Sequence, residues 1–99
     1  MAAIGDVFSA YSNDVADDGY VDCQPAASHE ADVHNIYHED DVELYWYDGT
    51  NEMKIEATSS YGIYAYFCFH VTNSIRLRIK NVAGSAKDIG YDGVYTKVS

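Results

Sequence analysis

The chain has little of what most folds and activities require. Pro25 is its one proline, and no long Gly/Ser tract occurs in 99 residues, so neither a linker nor a second domain is expected and residues 1–99 read as one domain. Two cysteines, Cys23 and Cys68, are too few for a disulfide framework. Six basic residues stand against sixteen acidic ones. Nucleic acid and anionic membrane both need Lys and Arg to displace counterions, so neither is expected as a partner. The longest apolar run, Ile63 to Phe69, is strand length and far short of the ~20 residues of a membrane span. The first six residues carry no basic n-region and no apolar h-region, so no secretory signal is expected, and both cysteines are expected free in a reducing cytoplasm.

Chemistry is also sparse. No phosphate loop, nucleophile elbow or triad spacing stands out, and an enzyme is not expected. His29, His34 and His38 lie near Glu39, Asp40 and Asp41, with His34 and His38 expected on one strand face. Four residues apart on an extended chain, those two imidazoles would stand about 13 Å apart at ~3.3 Å per residue. That is too far for one zinc at ~2 Å. Asp17-Asp18 and Glu39-Asp40-Asp41 lack the spacing of a calcium loop. No metal and no cofactor are therefore expected.

What is present is alternation. Ile75-Arg76-Leu77-Arg78-Ile79-Lys80 puts three aliphatic side chains on one strand face and three cations on the other. The same period predicts about eight strands: 5–12, 19–24, 30–38, 42–47, 52–57, 63–71, 75–82 and a last one within 88–97. In the third, Ala31, Val33, Asn35 and Tyr37 are expected opposite Asp32, His34, Ile36 and His38. Asp48-Gly49 marks a hairpin between the fourth and fifth, because glycine accepts the positive φ of such turns. The sixth is apolar on both faces and is expected to be central. Short strands at this spacing predict an all-β fold, an antiparallel β-sandwich with jelly-roll or immunoglobulin-like topology. Cys23, Trp46, Cys68 and Tyr66 invite the immunoglobulin comparison, but Cys23 to Trp46 is a longer interval than that framework uses. The expected core is Val21, Val33, Leu44, Ile55, Phe67, Phe69, Ile75, Leu77, Ile79 and Val94.

Charge is divided along the chain. Residues 1–56 hold fourteen acids against Lys54 alone, a balance of −13, and residues 57–99 hold two acids against five bases, a balance of +3. The cationic ribbon Arg76, Arg78 and Lys80 is expected either to pair within the subunit, with Glu43, Glu52 or Glu56 across adjacent strands, or to meet a neighbour's acidic edge. With ten tyrosines and a short chain for a self-sufficient core, a homo-oligomer is expected. Arg76, Arg78, Lys80, Tyr37, Tyr47 and Tyr61 are its candidate interface residues.

Several stretches together resemble small structural proteins of tailed bacteriophages: His34-Asn35-Ile36-Tyr37-His38-Glu39, Tyr47-Asp48-Gly49-Thr50-Asn51, Thr72-Asn73-Ser74 leading to Arg78-Ile79-Lys80-Asn81, and Gly90-Tyr91-Asp92-Gly93-Val94. These are mainly turns and strand starts within residues 30–95. The resemblance implies a β-sandwich or jelly-roll virion protein of the capsid-decoration or head-fibre type. It would be assembled in the host cytoplasm, placed on the capsid surface, bound to the major capsid protein or another virion protein, and trimeric if it decorates a capsid. A second function class is a carbohydrate- or receptor-binding module of a phage fibre, with Tyr37, Tyr45, Trp46, Tyr47 and Tyr61 as an aromatic platform.

Overall fold

The computed structural model describes residues 2–65 and 68–99. They form nine strands and no helix: β1 (Val7–Val15), β2 (Tyr20–Cys23), β3 (His29–His38), β4 (Val42–Tyr47), β5 (Glu52–Thr58), β6 (Gly62–Tyr64), β7 (Phe69–Thr72), β8 (Arg76–Asn81) and β9 (Lys87–Val98). Two antiparallel sheets pack face to face. One has the order β1-β9-β3-β6, with β7 also on β3; the other has the order β2-β8-β4-β5.

The pairing is nested. β1 joins β9, β2 joins β8, β3 joins β6 and β7, and β4 joins β5. The chain is thus one long hairpin, bent at residues 48–51 and rolled into two layers. Counting β6 and β7 as one interrupted strand gives the eight-stranded jelly roll. The immunoglobulin alternative is set aside, because among the described residues β4–β5 is the one pair formed by strands consecutive in the chain, once β6 and β7 are counted together. At the bend the Asp48 carboxylate accepts hydrogen bonds from Thr50 N (3.0 Å) and Asn51 N (2.6 Å), and Gly49 takes φ +95°. The expected hairpin is there, as a four-residue loop.

Inward-facing residues of both sheets make the core: Phe8, Ala31, Val33, Ile36, Val71, Ile89 and Tyr91 from one, Cys23, Val42, Leu44, Leu77 and Ile79 from the other. Of the expected core, Val33, Leu44, Leu77 and Ile79 are buried, and Val21 and Phe69 pack against its margin. Phe67 lies outside the described residues, as does Tyr66. Three expectations are corrected. Ile55, 42% exposed, sits on β5, an edge strand with little covering it on either face. Ile75, 38% exposed, belongs to the Thr72–Ile75 turn before β8 begins. Val94 is half-buried because it faces outward, between Val7 and Asp32 in the ladder.

The expected central sixth strand is also corrected. Its described residues form β6 and β7 at the sheet edge, both paired to β3. The interruption coincides with an irregularity in β3 itself. Val33 lies opposite Gly93 and Asn35 opposite Asp92, so His34 is an extra residue with no partner on β9. This bulge reverses the alternation. Before it Ala31 and Val33 point inward; after it Ile36 and His38 do. His34 and His38 therefore do not share a face. His38 is buried, and its Nδ1–H donates to the Ser60 (2.8 Å) and Asp40 (3.1 Å) carbonyls.

The core assignment has a direct check. Leu77→Ala should cost ~2–5 kcal/mol in urea denaturation, whereas Ile55→Ala should cost about 1 kcal/mol or less. Equal costs at the two positions would contradict the burial described.

Candidate functional site

The cationic ribbon forms as expected, on the outer face of the four-stranded sheet, and its two arginines are engaged inside the subunit. Arg78 grips Asp22 with Nε–Oδ1 at 2.8 Å and Nη2–Oδ2 at 3.1 Å, and reaches Glu52 at 3.4 Å. Its guanidinium lies between the Tyr20 and Tyr47 rings, 3.6 and 3.7 Å from their centroids. Arg76 shares Asp22 at 3.3 Å and stands 5.0 Å over Tyr47. A bidentate pair stacked on both sides by aromatic rings stabilises the sheet. Lys80 lies opposite Glu43 in the ladder, and Glu43 holds Lys54 at 2.8 Å and accepts from the Tyr45 hydroxyl. That hydroxyl bond pushes the Tyr45 phenol up to about 12.

The expected aromatic platform does not assemble. Tyr45 and Tyr47 lie on this outer face, and Trp46 points the other way, opposite Leu77. Tyr37 is on the other sheet, and Tyr61, 82% exposed, lies in the loop before β6. The six candidate interface residues thus occupy different surfaces.

A different row does assemble, on the outer face of the five-stranded sheet. In register, Tyr11 of β1 faces Gly90 of β9, Gly90 faces Tyr37 of β3, and Tyr37 faces Ile63 of β6. The row crosses four strands, and its three side chains are all exposed, Ile63 and Tyr11 by more than half. Because adjacent strands lie ~4.8 Å apart, the two tyrosines stand about 10 Å apart with only a glycine between them. A depression lies on each side of the row: one of about 570 Å³ over Val7, Ser9, Gly90 and Asp92, and one of about 250 Å³ over His38, Glu39, Gly62 and Asp88. Tyr11 and Tyr37 line both.

Carboxylates hold the rings in place. The Tyr11 hydroxyl donates to Asp88, and the Tyr37 hydroxyl to Asp92. Asp92 also accepts from Asn35 Nδ2 at 2.7 Å, and Asp88 from Asp14 N at 2.9 Å. Bonding to Asp88 raises the Tyr11 phenol; in return Tyr11, with the Asp14 amide, holds Asp88 below the usual carboxylate range. Asp92 likewise raises the Tyr37 phenol. Further along the same face, His70 donates to Glu30 (2.7 Å) and Asp32 (2.8 Å), and these two acids, Glu30 foremost, raise its pKa. The face offers aromatic and aliphatic surface framed by acids.

Sequence reading singled out Tyr37 alone of this row. Tyr11, Gly90 and Ile63 are separated by up to 79 positions and are joined only by the nested pairing.

The carboxylate–phenol pairs have a defined pH window. A depressed acid contributes stability above its unfolded pKa that is lost as pH falls through its folded value. A raised phenol contributes stability below its unfolded pKa that is lost as pH rises through its folded value. The Tyr11–Asp88 contact should therefore persist from the acid side of the usual carboxylate range to the alkaline side of the usual phenol range. Tyr11→Phe should move the Asp88 pKa upward in a carbon-detected NMR titration; an unchanged value would contradict the contact.

No protein-family model matches the chain, and no curated protein matches it.

Proposed function

We propose that this protein is a non-enzymatic virion component of the capsid-decoration or accessory type, docking on the major capsid protein through the outer face of its five-stranded sheet. The observation that supports it is the exposed row Tyr11–Gly90–Tyr37–Ile63, bordered by Asp88, Asp92 and Glu39. Tyrosine with aliphatic neighbours at the centre of a face and charge at its margin is the composition of a protein-binding surface. A partner that carries Lys or Arg there would meet complementary acids and aromatic faces. The placement on a virion comes from the likeness of residues 30–95 to phage structural proteins. The jelly roll is compatible with it at the level of analogy, since that fold recurs in viral capsid and lectin domains. A rigid sandwich of this size can cover a seam between larger subunits and stabilise the assembled state by mass action. A three-fold seam would carry three copies, which makes the protein a trimer on the particle.

One feature favours a second reading, a carbohydrate-binding module of a fibre. Two tyrosines flank Gly90 in the ladder, with carboxylates at their hydroxyls, and an aromatic side chain with acids beside it can take a sugar ring.

Mass spectrometry of purified particles from the source should find the chain in fixed stoichiometry with the major capsid protein. Tyr37→Ser with Ile63→Ser should leave the fold intact and release the protein from those particles. A chain absent from virions would end the virion reading, and selective glycan binding abolished by Tyr37→Ala would put the second in its place.

A further inference from the structure

On the same outer face, away from the tyrosine row, the β3 bulge draws together three side chains of metal-ligating type. Asp32 and His34 come from β3 and Cys68 from the residue before β7, and one ligand atom of each lies within 4.8 Å of the other two. The ladder explains the meeting. Asp32 pairs with His70 and Val33 with Phe69, which sets Cys68 level with His34. His34 is the bulge residue, so its side chain stays on the outer face beside Asp32.

We propose that Asp32, His34 and Cys68 form a site for a divalent transition metal of the zinc class. A thiolate, an imidazole and a carboxylate are the donors zinc accepts, at ~2.0–2.3 Å from the ion. Donors at those distances stand about 3.3–3.8 Å apart in a tetrahedron, so small rotations of the His34 and Cys68 side chains close the set. The thiolate and imidazole select against calcium and magnesium, which take oxygen ligands. The surroundings match a metal site. His70, itself anchored on Glu30, donates Nδ1–H to Asp32 at 2.8 Å and so fixes the carboxylate, as outer-shell groups do for metal ligands. The His34 imidazole has no hydrogen-bond partner among the described residues. Three protein ligands leave the fourth position to solvent, since Cys68 is exposed. Bound metal would also tie Cys68 to β3 where the edge strand is interrupted between β6 and β7.

Cobalt(II) is the probe, added to the full chain with a phosphine reductant. One ion should bind per chain, with a near-ultraviolet thiolate-to-cobalt charge-transfer band and the visible bands of tetrahedral cobalt, and zinc should displace it. Cys68→Ser should remove the charge-transfer band. Cys23 cannot substitute, because it is fully buried between the sheets. Asp32→Asn should weaken binding at least about tenfold, and His70→Ala by about 10- to 100-fold. His29→Ala, at the start of β3 and outside the cluster, should leave affinity and spectrum unchanged. Far-ultraviolet circular dichroism confirms that each variant is folded. Cobalt binding without a charge-transfer band, or a band that survives Cys68→Ser, would overturn the proposal.

Discussion

Much of this molecule depends on how closely β9 approaches β3 at Gly93. A Cβ built there would lie 1.8 Å from the Asp32 carbonyl oxygen and 2.8 Å from Val33 Cα, distances that only glycine avoids. At that point His34 is squeezed out of the ladder, and every later residue of β3 changes face. Ile36 and His38 turn into the core, while Tyr37, opposite Gly90 in the ladder, turns out. His38, once inside, ties the Asp40 and Ser60 carbonyls together. The tyrosine row and the Asp32–His34–Cys68 cluster lie on either side of the same irregularity.

The division of charge along the chain follows from the nested pairing. Rolling one long hairpin into two layers sets strands of the first half beside strands of the second. Asp22 of β2 thereby meets Arg76 and Arg78 of β8, and Glu30 of β3 lies 3.8 Å from Lys97 of β9. An acidic half and a mildly basic half are complementary across the ladder, and much of the basic charge is neutralised inside the subunit. Acids outnumber bases, so the surplus gathers elsewhere, as at Asp88, Asp92 and Glu39 around the tyrosine row.

The strands were legible because half-buried strands alternate, and Val42–Tyr47 and Arg76–Asn81 show that period plainly. The hairpin was legible because Gly49 needs a positive φ and Asp48 caps the turn. Gly90 and Gly93 mark the last strand for a bulge or close packing, and Gly93 makes that close approach; that the extra residue falls in β3, some sixty positions away, was not legible, since β3 itself carries no unusual residue. A strict period of two therefore put His34 and His38 on one face and Tyr37 on the inner face with Ala31 and Val33. Edge position was illegible for a related reason. Ile63 to Phe69 is as apolar as a central strand, yet Ile63 contributes its side chain to an outer row. The metal-type cluster escaped a search along single strands because its donors lie at i and i+2 on one strand and on the neighbour across from them. Residues 32, 34 and 68 become adjacent only once the β3–β7 register is known.

The most direct test of this account is the urea denaturation of Gly93→Ala. A methyl group at that position meets backbone, which cannot rotate away, so the variant should lose more than about 3 kcal/mol or fail to fold. Gly93→Ala folding with a stability within about 0.5 kcal/mol of the parent would show that the close approach of β9 to β3 does not set the phase of the sheet.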